Sequence, residues 1–177
     1  MKLDEKQINR EVIFQGKVFN VYKDKIILPD NTESFRELVE HKGGVCIAAK
    51  MENNDYLMVT QYRYPIKQVF FEFVAGKKEQ DEDPLKTAQR ELIEETGYQA
   101  KNFIYMGSFV PTCGYSSEII DMYYADDLTF VGQNLDENEF LNVSSIKLDD
   151  LIEMIMNNEV TDAKTIILAL KLKNLGK

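Results

Sequence analysis

GKKEQDEDPLKTAQRELIEETGY, residues 76–98, marks both ends of a helix and crowds acid onto one side of it. Asp83 is a good N-cap, and Pro84 suits the first helical position because its missing N–H would be unpaired there anyway. Gly97 can stop the helix by taking the left-handed conformation at low steric cost. Between these ends Leu85, Ala88 and Leu92 fall on one stripe at helical spacing, so that side is expected to face a core. Glu91 and Glu95 are four apart and Glu94 is three from Glu91, so three carboxylates share a narrow arc beside the stripe. Like charges so placed weaken a helix by about 0.2–0.5 kcal/mol per pair, and Arg90 offsets only part of this. Glu94 and Glu95 also sit in the last turn, where the helix dipole disfavours negative charge. Two readings of the arc compete. One is a solvated acidic face, the ordinary fate of a charge run on a helix. The other is a site for a hard divalent cation, which prefers carboxylate oxygens and keeps waters for a phosphate substrate.

The residues around the arc favour the second reading. Gly76, Glu82, Arg90, Glu91, Leu92, Glu94, Glu95 and Gly97 stand at the spacing G-x5-E-x7-R-E-U-x-E-E-x-G-U, where U is a bulky aliphatic residue. This resembles the Nudix box with every fixed identity present, and the chain is identified as a member of the Nudix hydrolases. Tyr98 is aromatic where the pattern asks for an aliphatic residue, but it is still bulky and of a mostly buried type. The likeness extends over nearly the whole chain. An N-terminal sheet, QYRYP (61–65), FEFVAG (71–76), the box, a loop holding Gly114, DENEF (136–140) and VTDAKT (160–165) follow in the order of the ADP-ribose pyrophosphatase branch. Relatives in that branch hydrolyse GDP-mannose or other nucleotide sugars. Many members carry a Pro directly before the Gly of the loop after the box. Here that position is Cys113, and the proline is Pro111, which gives other nucleotide sugars weight beside ADP-ribose.

The resemblance implies a fold and a chemistry. The fold is α/β, an α/β/α sandwich with a mixed sheet, preceded by a small N-terminal antiparallel sheet. The expected division is 1–42 for that sheet, serving dimerisation and base binding, and 43–177 for the hydrolase domain. The chemistry is attack of water on a phosphorus of a diphosphate, giving AMP and ribose 5-phosphate from ADP-ribose. Mg²⁺ is the expected ion, with Mn²⁺ as its substitute. By resemblance Glu91 and Glu95 hold metal, Glu94 assists, and the Ala75 carbonyl completes the set. Arg90 and Glu82 are expected to hold loop and helix together, and Gly76 to let the backbone turn sharply. With the box carboxylates on metal, the general base must come from outside it. Glu139 is the first choice and Glu137 the second, against the alternative of an exposed acidic loop. Arg63 is a candidate for bidentate pairing with phosphate. Glu72 is placed at the substrate pocket. The nucleobase is expected to stack on Phe19 or Tyr22, with Arg36 nearby, unless those aromatics are ordinary core. The branch usually forms homodimers through its N-terminal sheets. A competing reading is a Nudix-fold module that senses a nucleotide without cleaving it, although such a module could dispense with metal ligands.

Composition agrees with a small-molecule enzyme. At 177 residues, 44% hydrophobic and 29% charged, the chain is expected to be soluble and large enough for a full core. A formal net charge of −9 argues against a general nucleic-acid binder. It leaves a phosphorylated substrate open, because bound cations invert the local charge. Cys46 and Cys113 form no Cys-x-x-Cys pair. They point to a reducing compartment without a zinc site. MKLDEKQ at the start lacks the apolar core of a signal peptide, and no apolar run reaches membrane-spanning length, so a cytoplasmic protein is expected. His41 is the single histidine and reads as structural.

Outside the box, 11–28 reads as two strands with a turn at Gln15-Gly16, and 32–39 as a strand returning from a turn at 29–31. Strands are also expected at 45–49, 56–62, 69–75, 103–110, 119–125 and 140–148. Glu72 interrupts the apolar run 69–75. It needs a partner or a function there, unless it alternates to the solvent face. Helices are expected at 149–157 and 162–173, capped by Asp149 or Asp150 and by Thr161 or Asp162.

Overall fold

All six residues of one strand, Gly44–Ala49, are buried. That is the signature of a strand covered on both faces. The computed structural model, which describes residues 2–135 and 137–177, shows what covers it. The elements are β1 (Lys6–Gln15), β2 (Phe19–Ile27), β3 (Glu33–His41), β4 (Gly44–Ala49), β5 (Asp55–Arg63), β6 (Gln68–Glu72), β7 (Val74–Lys77), α1 (Pro84–Thr96), β8 (Tyr98–Phe109), β9 (Ile120–Phe130), β10 (Leu141–Lys147), α2 (Leu148–Met156) and α3 (Ala163–Asn174). They divide into two compact units, Met1–Gly43 with Val110–Ile119, and Gly44–Phe109 with Ile120–Lys177.

The larger unit holds two sheets, ordered β7-β4-β9-β8 and β10-β5-β6. β4 and β9 run parallel, and the other neighbours are antiparallel. Alternation along β4 and β5 sends Val45, Ile47, Leu57 and Val59 to one side, where they meet Ala88 and Leu92 of α1. Cys46, Ala48, Tyr56 and Met58 go to the other side, against Leu151 and Ile155 of α2 and Leu168 and Leu172 of α3. This is the expected α/β/α sandwich. Among the described residues no helix is long and apolar enough to cross a membrane.

Several local expectations change. The apolar run 69–75 is not one strand. β6 pairs with β5 as far as Val59↔Glu72, and β7 pairs with β4 from Ile47↔Val74 onward. Phe73 stands at the switch between sheets, where its N–H donates to Thr165 Oγ1 at 2.9 Å. Hydrophobicity marks both halves as buried but carries no sign of the change of partner. Leu85, expected in the core stripe of α1, lies in the first turn and is 38% exposed. α2 begins after Lys147 with no side-chain cap, so Asp149 and Asp150 occupy its first turn, where they favour the dipole without capping. α3 is capped by Asp162, which accepts from Thr165 N–H at 3.0 Å.

The smaller unit is the antiparallel sheet β1-β2-β3 with the segment 110–119. Val39 N–H donates to the Tyr115 carbonyl and Ser117 N–H to the Val39 carbonyl, so this loop pairs along β3. His41 is structural here. Its Nδ1 accepts from Gly43 N–H at 3.0 Å and lies 3.4 Å from Glu118, and its own N–H donates to Ser117 Oγ. Asp24, buried in the sheet, accepts two bonds from Arg10 at 2.8 and 2.7 Å. Such fork pairing satisfies a carboxylate that could not otherwise be buried.

Candidate active site

The helix that opens the sequence reading is built as its ends foretell. Asp83 Oδ1 accepts from the N–H groups of Leu85 and Lys86, Pro84 takes the first position, and Gly97 closes the helix at φ 78°. Its inward face runs through Ala88, Leu92 and Glu95, at steps of four and three. The same periodicity that buries Leu92 therefore buries Glu95, which is 2% exposed. Glu91, four before Glu95, flanks the same face, and its side chain is mostly covered.

Burial shifts both groups. Glu95 is raised to about 8, first by desolvation and then by repulsion from Glu91 and Glu139. The Ala75 N–H, donating to Glu95 Oε2 at 3.2 Å, offsets part of this. Glu91 is raised to about 7, again by desolvation before all else. Arg90 pulls it down, while Glu94 and Glu139 push it up. Two interior carboxylates are thus held in a place that disfavours their charge.

Arg90 acts as a clasp. Its Nε and Nη2 bond Glu82 at 3.1 Å, Nη2 also donates to the Lys77 carbonyl, and Nη1 reaches Glu91 at 2.9 Å and Glu94 at 2.7 Å. Glu82 is lowered to about 2 by that bond to Arg90 above other causes. The loop before α1 is tied to the helix through this pair. Gly76 serves differently from the expected sharp turn. It lies in β7, and a Cβ there would fall 1.8 Å from Glu91 Cδ. The glycine makes room for Glu91.

A second group gathers behind β7. Glu72 is fully buried, so it does not alternate to solvent. Arg63 Nε and Nη2 donate to its two oxygens at 2.8 and 2.7 Å, and Lys164 Nζ pairs with Oε2 as well. Both carboxylate oxygens are committed, and the charge of Arg63 also acts favourably on Glu95. Lys164 was not singled out in the sequence. Its signal was available, since a lysine two residues after an N-cap aspartate, on a helix otherwise turned to the core, needs a partner.

Glu139 is half-buried and its charge is felt by both Glu91 and Glu95. Glu137 is exposed, and Asp136 of the same acidic loop lies outside the described residues. The approach to this loop is pinned onto the end of α1. Val131 and Gly132 N–H donate to the Gly97 carbonyl, Asn134 N–H to the Glu94 carbonyl, and the Gln133 side chain to the Glu95 carbonyl. Beside Glu139 opens a cleft of about 340 Å³ walled by Tyr62, Val69 and Phe140.

The expected base-binding residues belong to the smaller unit. Phe19 is 41% exposed and tilts against Phe14 at a centroid distance of 5.9 Å. Tyr22 donates to Glu40, and Arg10 lies 4.3 Å over its ring. Arg36 pairs with Glu5 and donates to the Phe35 carbonyl. The regular β2–β3 register puts Phe19 on one face of the sheet and Tyr22 with Arg36 on the other, so one base cannot stack on both aromatics of one chain.

The donor set suits a hard divalent cation. It consists of covered carboxylate oxygens raised chiefly by desolvation, beside a backbone kept close by a glycine. Among the described residues no three acidic, histidine or cysteine side chains converge at ligand spacing, since Arg90 draws Glu91 and Glu94 toward itself. The fit is one of chemistry and charge.

The NUDIX domain model matches residues 40–168. The chain is 39% identical over 165 residues to the ADP-ribose pyrophosphatase of Bacillus subtilis (strain 168), covering 92% of this chain and 89% of that protein. It is also 39% identical over 166 residues to the methanol dehydrogenase activator of Bacillus methanolicus, covering 93% and 90%. A solved ADP compounds hydrolase superposes with a TM-score of 0.86 at 18% identity, over 99% of this chain and 96% of that one, a likeness of fold.

Proposed function

Because this chain belongs to the NUDIX family, we propose that it hydrolyses the diphosphate bond of ADP-ribose, with Mg²⁺, to AMP and ribose 5-phosphate. The family and the likeness to an ADP-ribose pyrophosphatase make it a Nudix pyrophosphatase, and Nudix hydrolases are generally dependent on divalent metal. The observation that carries the proposal is the pair of interior carboxylates, Glu91 and Glu95, four residues apart on one helix face, mostly covered, and raised chiefly by burial although Arg90 and the Ala75 N–H offset part of it.

In this reading Glu91, Glu95 and the Ala75 carbonyl would hold the ion, with Glu94 assisting. The bound ion would neutralise the diphosphate and make a water more acidic. Glu139 accepts the proton of the attacking water, with Glu137 as the second choice. Arg63, anchored on Glu72 through Nε and Nη2, would offer its Nη1 donors to the diphosphate. Arg90 and Glu82 keep the loop closed on the helix. Phe19 is the favoured stacking surface for the base, since Arg10 already covers a face of Tyr22. Arg36, on the opposite face with Tyr22, would serve a base only where it stacks on Tyr22 instead.

The enzyme is proposed to act as a cytoplasmic homodimer joined through its N-terminal strands, without nucleic-acid or membrane partners. Val12, Ile13 and Phe14 of β1, each more than half exposed, support that contact. Residues 1–42 would then serve dimerisation and base binding, and 43–177 hydrolysis.

The test is phosphate release in a coupled phosphatase assay with Mg²⁺ across ADP-ribose, GDP-mannose, other nucleotide sugars and free triphosphates. Preference for ADP-ribose supports the proposal. Preference for another nucleotide sugar keeps the mechanism and moves the specificity to the loop holding Cys113. Tight binding of ADP-ribose for hours without release of AMP would mean a sensing module.

The equal identity with a methanol dehydrogenase activator favours a second reading, in which the chain also acts on a dehydrogenase. Methanol oxidation by such a dehydrogenase, measured with wild-type protein and with Glu95→Gln, tests it. No stimulation by either removes that reading.

A further inference from the structure

We propose that the start of α3, through Thr165 and Lys164, is a positioning device that sets the register of β7 and so the place of Ala75 against Glu95. This rests on the reading of Ala75, Glu91 and Glu95 as the metal-binding set.

The chain leaves one sheet at Glu72 and enters the other at Val74. Phe73 between them belongs to neither strand, and a buried N–H without a partner costs free energy comparable to a lost hydrogen bond. Thr165 Oγ1, fully buried, takes that N–H at 2.9 Å and itself donates to Asp162 Oδ2 at 2.7 Å. Asp162 Oδ1 accepts from Lys164 Nζ at 2.8 Å, and Lys164 returns to Glu72. The bonds close a ring through Glu72, Phe73, Thr165, Asp162 and Lys164. It grips the switch at two adjacent residues, one by backbone and one by side chain.

Two residues further on, the Ala75 N–H meets Glu95 Oε2, and Gly76 lies against Glu91. Any slip at Phe73 is passed directly to Ala75, because extended backbone has little slack and a strand slip turns side chains to the other face. The ring also holds Glu72 under Arg63, so it fixes the guanidinium that acts on Glu95. Neither Thr165 nor Lys164 need touch substrate or ion. Both act through β7.

The experiment uses the full-length protein and three variants. Thr165→Val keeps the shape but loses the acceptor for Phe73, Thr165→Ser restores it, and Lys164→Met removes the charge with little change of length. For each, the Mg²⁺ concentration giving half-maximal hydrolysis is measured together with Mn²⁺ binding by electron paramagnetic resonance without substrate. Loss of one buried partner is expected to weaken metal binding about tenfold in Thr165→Val and Lys164→Met, with Thr165→Ser within about twofold of wild type. KM extrapolated to saturating metal should change little.

Unchanged Mn²⁺ affinity in folded Thr165→Val and Lys164→Met would overturn the proposal, leaving the ring as a purely structural bond set. Should Thr165→Val not fold, Lys164→Met and Thr165→Ser decide the matter on the same readout. Failure of the underlying reading looks different, because wild type itself would then bind no Mn²⁺ at micromolar to millimolar concentration.

Discussion

Replacing Glu95 by Gln should stabilise the metal-free protein at alkaline pH while abolishing its activity. Glu95 is 2% exposed and raised from an ordinary 4.5 to about 8. A carboxyl group raised on folding contributes stability that is fully present below its unfolded value and lost as pH rises through its folded value. The interval from 4.5 to about 8, at about 1.4 kcal/mol per pH unit, amounts to roughly 5 kcal/mol, most of it already lost at pH 8. Gln keeps the shape and an oxygen to accept from the Ala75 N–H, but its buried amide hydrogens cost about 1–3 kcal/mol. The net gain at pH 8 is therefore about 2–3 kcal/mol, or roughly 5–10 °C in Tm for a chain of this size. At pH 5 the gain should vanish or reverse. Thermal and urea unfolding in chelator, from pH 5 to 9, measures this directly. The same variant should lose at least about a hundredfold in kcat, and Mg²⁺ should no longer raise its Tm. A Tm that falls equally at pH 5 and pH 8 would refute the reasoning, since Glu95 would then carry no burden of burial for the ion to relieve.

Glu139→Gln should lower kcat about a hundredfold while leaving Mn²⁺ affinity unchanged, and Glu137→Gln should stay within a few fold. Steady-state kinetics and metal titration on both separate base from ligand. Gly76→Ala should displace Glu91, because the new Cβ would fall 1.8 Å from its Cδ. A loss of about 1–3 kcal/mol by urea unfolding and weaker metal binding are expected. Arg10→Met leaves Asp24 buried without its partner, and should destabilise the N-terminal sheet by about 2 kcal/mol, seen as faster hydrogen exchange in 6–41. Because Arg10 lowers Asp24 chiefly by hydrogen bonding, this contribution is present above the ordinary carboxyl range. It disappears as pH falls through the lowered value, so wild type and variant should converge in acid.

α1 was legible in the sequence because every device that makes it is local. A cap, a proline, a glycine and a period of 3.6 turn positions into faces without knowledge of the rest of the chain. Most strands were legible for the same reason, but β1 already begins at Lys6, β8 at Tyr98, and β9 runs on to Phe130. Asp149 and Asp150 were read two and three positions from the true cap at Lys147, because they are equally at home at a cap and in a first turn. The switch at Phe73 was not legible, because an apolar run reads the same whichever sheet pairs with it.

The amino-acid order alone determined the carboxylates of the box, their arc on one helix and the chemistry they suit, since a helix maps spacing onto direction. Only tertiary structure decided how completely Glu95 is covered, that Gly76 yields its space to Glu91, and that Glu139 comes within electrostatic reach of both. It also decided that Glu72 is held by a lysine 92 residues away. The physical reason is common to all four. Each depends on which distant segment packs alongside, and the free energy of that choice belongs to the assembled core and not to any window of sequence.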